Sequence, residues 1–205
     1  MSGQINDKLI YNDAEYNISA IEFPEAFIDI YSLGIKPKMN STACWRGYVA
    51  TYTINNSKLV LDKLYTNNGN NIENEPPLIN NKLPNIIIKE GLIDEYKNSR
   101  DFVYENIDLP INYTGSIIIT NELIMERYVH MGFQSPTSYK VVIQLIFNEG
   151  QLVSSNDLSS IATSIRKNNI ELAERKINKM DLIQWIKDSF NISFFNKAKE
   201  LTEFK

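Results

Sequence analysis

The chain has one cysteine, one histidine and eight glycines among 205 residues, and each scarcity excludes a class of site. Cys44 has no partner for an internal disulfide, and one Cys with one His cannot complete a zinc site. The closest glycines, Gly34 and Gly47, are 13 positions apart. Phosphate-binding loops need clustered glycines, because the backbone must turn tightly and approach the phosphates. We therefore predict no metal and no cofactor.

Long apolar runs and a surplus of positive charge are also missing. No stretch approaches the roughly 20 uninterrupted apolar residues of a membrane span, and residues 1–10 lack the apolar region of a secretory signal. Together with the single cysteine, these features predict a cytoplasmic protein without membrane contact. A net charge of −4 and a pI near 5.2 disfavour nucleic acid as a partner.

What the sequence does contain is the pattern of a mixed α and β domain. Hydrophobic residues make up 43% and charged residues 22%, as in globular chains that bury a core. Alternation and turn residues predict a hairpin over residues 8–18 and strands at 43–54, 59–65, 86–88, 102–108, 115–120, 139–147 and 151–153. Strands come first and helices last, so we predict an α+β fold: a mostly antiparallel sheet built from hairpins, with a C-terminal helical region.

The strongest pattern is a hairpin whose turn is the segment 55–58, Asn-Asn-Ser-Lys. Pairing Ile54 with Leu59 predicts that Tyr52 faces Leu61, Ala50 faces Lys63 and Tyr48 faces Tyr65. Both faces carry apolar groups, so an interior position is expected.

Two helices are predicted. One runs over residues 120–130, because Thr120 can cap it and Gly132 can stop it. The other begins near Asp157 and continues with apolar residues at helical spacing. We divide the chain into a β-rich core domain, 1–155, and a helical C-terminal region, 156–205, packed on that core. Residues 66–85 are expected to form an insertion, because eight of these 20 residues are Asn.

The first candidate site is the segment Cys44-Trp45-Arg46-Gly47-Tyr48. Placed on a strand, Arg46 shares a face with Tyr48, while Asp62 projects to the other face, so Arg46 lacks a partner within the hairpin. It could bind an anion or a carboxylate, or stack on a ring. The alternative is a structural arginine paired with a distant carboxylate, with Trp45 in the core.

The second candidate residue is His130, in the segment Tyr128-Val129-His130-Met131-Gly132-Phe133. A ligand cleft would bring His130 together with Arg46, Trp45 and Tyr48. The alternative for the segment is a packing corner. His130 and Cys44 are formally a base and a nucleophile, but a buried, inert Cys44 is the favoured interpretation.

Both segments resemble a group of uncharacterised bacterial proteins. The resemblance rests on residues 41–48 (STACWRGY), on Ala50-Thr51-Tyr52, and on residues 128–133 (YVHMGF), and it extends over about residues 5–153. It implies a bacterial, cytosolic origin and transfers no activity or site.

Three functions are compatible with these features. The first is a non-enzymatic binding protein, such as an immunity-type inhibitor or an accessory factor in bacterial competition or defence, since acidic proteins can neutralise basic partners by electrostatic complementarity. The second is a small-ligand module or enzyme with a cleft around Arg46 and His130. The third is an assembly protein, which would expose a broad apolar surface.

Overall fold

A computed structural model describes residues 2–67, 75–89 and 99–167. The structure is dominated by strands, which confirms the mostly antiparallel sheet and the late helix. The described residues form ten strands: β1 (Lys8–Tyr11), β2 (Ala14–Ile21), β3 (Tyr48–Asn55), β4 (Lys58–Asn67), β5 (Asn85–Lys89), β6 (Ser99–Tyr104), β7 (Leu109–Pro110), β8 (Gly115–Leu123), β9 (Tyr139–Asn148) and β10 (Gln151–Asp157). Helix α1 (Ser159–Lys167) follows β10 directly.

The sheet has the strand order β10-β9-β8-β2-β1-β3-β4-β6-β5, with β7 paired to β4. All neighbouring strands are antiparallel except β1 and β3, which run parallel. Strand β10, at one end of this order, also pairs with β4 through Gln151 and Lys58. Strands β4, β3, β1, β2, β8, β9 and β10 therefore close into a ring, and β6 and β5 extend the sheet from the end of β4.

The predicted hairpin turns are confirmed. The tip residues Asn12–Asp13, Asn56–Ser57 and Glu149–Gly150 all have positive φ, between 49° and 77°. Two-residue turns of this kind match the right-handed twist of the strands they join. Asn, Asp and Gly tolerate this conformation best, which is why the sequence revealed the turns.

The register of the β3–β4 hairpin is as predicted near the turn and wrong beyond it. Ile54 faces Leu59 and Tyr52 faces Leu61, but Thr51 faces Lys63, so Asp62 is an extra residue in β4. This bulge shifts the remaining pairs, so that Ala50 faces Leu64 and Tyr48 faces Thr66, rather than Lys63 and Tyr65. The bulged carbonyl of Asp62 accepts the Ile107 N–H at 2.9 Å, a contact from a distant part of the chain.

The main core includes residues of β6 as well as residues of the ring strands. It combines inward side chains of the strands with the segment between β2 and β3, which includes two 3-10 turns, Pro24–Ala26 and Tyr31–Leu33. Phe27, from this segment, packs against Tyr52 and Tyr113 at ring-centroid distances of 5.0 and 5.2 Å. A smaller core lies under α1, where Leu158, Ala162 and Ile165 cover one face of the sheet.

The predicted helix over residues 120–130 is wrong. Strand β8 continues to Leu123, and a 3-10 turn, Met125–Arg127, follows it. Thr120 is fully buried, and its hydroxyl hydrogen-bonds the Ser19 hydroxyl of the neighbouring strand at 2.5 Å. The hydroxyl that predicted a helix cap is therefore used across the sheet. Gly132 does have a positive φ, 68°, but it follows a loop.

The Asn-rich stretch is more structured at its ends than predicted. Strand β4 extends through Asn67, and the Asn67 side chain bonds both the N–H and the carbonyl of Lys38 at 2.8 and 2.7 Å. Ile79 and Lys82 form an isolated antiparallel bridge. Residues 68–74 lie outside the described part of the chain, as do residues 168–205, which hold the rest of the predicted helical region.

Candidate functional site

The N-terminal segment joins the two sequence segments singled out above. Gly3 pairs with Gly132 in a parallel bridge, and the Gln4 N–H donates to the Gly132 carbonyl at 2.8 Å. On the other side, the Ile5 N–H donates to the Ala43 carbonyl at 2.9 Å. Residues 3–5 therefore lie between the segments 41–47 and 128–134, which are more than 80 positions apart.

The expectation that the strand begins at residue 43 is wrong, because residues 41–47 form a tight turn before β3. The Cys44 N–H donates to the Ser41 carbonyl at 3.0 Å, and the Gly47 N–H donates to the Cys44 carbonyl at 3.2 Å. Gly47 has φ +72°, and a Cβ there would lie 2.6 Å from the carbonyl carbon of Lys38. Only glycine fits this close approach, so the strand cannot start earlier.

Arg46 leaves this turn and pairs with Asp7, the residue just before β1. Its Nη1 is 2.7 Å from Asp7 Oδ2, and its Nη2 is 3.0 Å from Oδ1. Nη2 also donates to the Ile5 carbonyl at 3.3 Å. This two-pronged geometry is the strongest form of an arginine–carboxylate pair. Burial lowers the pKa of Arg46, but the Asp7 carboxylate raises it more, so that it lies above its usual range.

Aromatic rings complete the surroundings of the guanidinium. Its central carbon lies 4.7 Å from the ring centroid of Tyr48 and 5.5 Å from that of Phe133. Both rings are within the range of cation–π attraction. Phe133, at the end of the second candidate segment, is buried, and so is the following Gln134. This is the burial expected of a packing corner.

The structure places the four predicted ligand residues in different surroundings. Arg46 and Tyr48 are in contact, and the charge of Arg46 is matched by Asp7, as expected of a structural arginine. His130 is exposed and packs edge-on against Tyr128, with a centroid distance of 4.9 Å. It does not cap the predicted helix, because the residues before it form strand β8 and a 3-10 turn instead. Trp45 lies at the surface, not in the core.

Cys44 is buried beneath the same turn. Its thiol donates to the Tyr48 carbonyl at 3.4 Å. Burial raises the pKa of Cys44, which disfavours the thiolate that a nucleophile requires. The structure therefore favours the interpretation of Cys44 as a small core residue.

Three apolar side chains on the joined segments are exposed: Ile5 (44%), Trp45 (37%) and Val129 (51%). We refer to them as the Trp45 surface. Their backbones are held in place, because the Trp45 N–H donates to the Gln4 side-chain oxygen at 3.1 Å. The Gln134 side chain similarly bonds the N–H and the carbonyl of Val129 at 2.8 and 2.7 Å.

Sequence reasoning missed Asp7, the central acceptor of the site. One carboxylate among 25 acidic residues carries no local signal of its partner. Within the described ranges, no group of three or more His, Cys, Asp or Glu residues lies together as a metal site. None of the helices in that part of the chain has the length and apolar character needed to cross a membrane.

Comparisons with protein-family models, with curated proteins and with solved structures return no match to this chain.

Proposed function

We propose that this is a non-enzymatic protein-binding protein, and that the Trp45 surface is its contact site. The observation that carries the proposal is that Trp45 is exposed on a turn whose backbone is held by three hydrogen bonds. The acceptors are the Ser41 carbonyl, the Cys44 carbonyl and the Gln4 side chain. Trp, with Tyr and Arg, is enriched among the side chains that dominate binding energy at protein interfaces.

The rigidity of the segment supports a binding role in energetic terms. Association must offset the entropy lost when loops and side chains become ordered. Here Trp45 follows a buried Cys44 and precedes Arg46, which Asp7 holds through two hydrogen bonds. The turn is therefore ordered before any partner arrives, and less free energy is lost on binding.

The partner class we propose is a basic protein, with this chain acting as an immunity-type inhibitor or an accessory factor. The support is the net charge of −4. A chain of this charge attracts a basic partner at long range, which raises the association rate more than the final affinity. Affinity and association rate should then fall as salt is added, because exposed charges are screened.

The experiment compares Trp45→Ala with Val153→Ala, a control that removes an apolar side chain exposed to 63% on β10. The partner is first recovered by co-purification from cells that encode this chain, and its affinity for each purified variant is then measured by calorimetry. We expect Trp45→Ala to weaken binding at least about 30-fold, which corresponds to a hot spot of about 2 kcal/mol. Val153→Ala should bind as the wild type does.

Equal affinities for wild type and Trp45→Ala would refute the proposed surface. Recovery of only a second copy of this chain would instead indicate an assembly protein. Circular dichroism of each variant establishes that a lost affinity does not reflect a lost fold.

A further inference from the structure

The Tyr52 hydroxyl differs from the other fully buried tyrosine hydroxyls of the main core. The Tyr104 hydroxyl donates to the Pro77 carbonyl at 2.8 Å, and the Tyr113 hydroxyl donates to the Ser116 carbonyl at 3.1 Å. Among the described residues, Tyr52 alone has a buried side-chain polar atom with no protein hydrogen-bond partner. Buried polar groups nearly always have a partner, from protein or from ordered water, so this hydroxyl calls for one.

The Arg46–Asp7 pair contacts strand β3 two residues from Tyr52. Tyr52 and Ala50 share the inward face of β3, and the Ala50 N–H donates to Asp7 Oδ1 at 2.8 Å. Burial raises the pKa of Tyr52, and the negative charge of Asp7 raises it further. The ring itself packs on Phe27.

The Oδ2 atom of Asp7 can accept a further hydrogen bond. Its Oδ1 accepts two bonds, from Arg46 Nη2 and from the Ala50 N–H, whereas Oδ2 accepts one, from Arg46 Nη1. An ionised carboxylate offers about four acceptor positions, so Oδ2 can accept one more donor. A molecule that accepts from Tyr52 and donates to Asp7 would satisfy both groups.

We propose that an internal water bridges the Tyr52 hydroxyl and Oδ2 of Asp7 in the folded protein. The hydroxyl donates to the water oxygen, and the water donates to the carboxylate. A water is the ligand class that suits the position, because Tyr52 is fully buried and Ala50 is a small side chain between Tyr48 and Tyr52 on that face. Buried waters typically make two to four hydrogen bonds, and this bridge supplies two of them. This inference does not depend on the proposed binding function.

The test is a high-resolution crystal structure of the wild-type protein and of Tyr52→Phe. We expect a density peak within hydrogen-bond distance of both the Tyr52 hydroxyl and Asp7 Oδ2 in the wild type, and its loss in the variant. The midpoint of thermal unfolding should fall by about 2–4 °C in Tyr52→Phe, as for a lost hydrogen bond in a chain of this size. Tyr104→Phe, which removes a direct hydrogen bond to protein, is the control, and its thermal midpoint should fall by a similar amount.

Absence of that peak from the wild-type density would overturn the proposal, and so would a Tyr52→Phe variant that unfolds at the same or a higher temperature than the wild type. The second result is what removal of a hydroxyl without any partner would give. If Tyr52→Phe does not fold, the wild-type density decides alone.

Discussion

Replacing Asp7 by Asn tests the central contact of the site. Asn keeps the size of the side chain and an oxygen that can accept the Ala50 N–H, but it removes the charge that faces Arg46. The Arg46 side chain retains 24% of its exposure and Asp7 retains 10%, so a guanidinium that is largely shielded from water would lose its counter-ion. Removing one partner of a fully buried pair costs about 3–5 kcal/mol. Because both side chains keep some exposure and Asn can still accept the Ala50 N–H, we expect Asp7→Asn to lower the free energy of unfolding by about 2–3 kcal/mol.

The assay is urea unfolding and thermal unfolding of the wild type, Asp7→Asn and a matched control, Glu105→Gln. The control breaks the ion pair between Lys63 and Glu105, which lie 3.7 Å apart and are 49% and 46% exposed. Such surface pairs contribute less than about 1 kcal/mol. The thermal midpoint of Asp7→Asn should fall by about 5–10 °C, and that of Glu105→Gln by much less.

A double variant, Asp7→Asn with Arg46→Met, separates the pair from its surroundings. Because the cost in the single variant comes mainly from an unpaired charge, the double variant should lose less stability than the two single variants added together. A loss in Asp7→Asn no larger than in Glu105→Gln would refute this reasoning, since Arg46 would then be stabilised by solvent and not by Asp7.

The remaining predictions concern the turn before β3 and the start of α1. Gly47→Ala should destabilise the protein by about 3 kcal/mol or more, because its Cβ would meet the Lys38 backbone at positive φ. Gly34 also has a positive φ, but the atom nearest to an added Cβ is 3.2 Å away, so Gly34→Ala should cost about 1 kcal/mol. Urea unfolding of the two variants measures the difference. The Asp157 carboxylate accepts the Ser159 N–H at 2.8 Å, and hydrogen bonds from Ser159 lower the pKa of Asp157 below its ordinary value of 3.8. Asp157→Ala should therefore cost about 1 kcal/mol at neutral pH. Because the folded-state pKa is lowered, this contribution is fully present above pH 3.8 and disappears as the pH falls through the folded-state pKa; a difference between variant and wild type that persisted in strong acid would contradict it.

Local chemistry was sufficient to predict the hairpins. Asn12, Asp13 and Asn56 are residues that adopt positive φ at little cost, and the apolar alternation around them has the period of a strand. The start of α1 was equally visible, because Leu158, Ile161 and Ile165 recur at helical spacing. Each of these features depends on residues within a few positions of one another.

Features that depend on a distant part of the chain were not predicted. The bulge at Asp62 is stabilised by Ile107, and it moves the register of β3 by one residue. Thr120 is equally suited to capping a helix and to bonding a hydroxyl across a sheet, and the presence of Ser19 in the neighbouring strand decides between them.

The sequence by itself determined that this chain forms hairpins, an antiparallel sheet and a late helix, because patterning and turn residues act locally. It also drew attention to Arg46, but it left open whether the charge serves a ligand or the fold. The tertiary structure shows which carboxylate matches that charge. The parallel pairing of β1 with β3 brings Asp7 beside Ala50, within reach of an arginine 39 positions away in sequence. A pairing between distant strands selects one carboxylate among 25, and no local pattern encodes that choice.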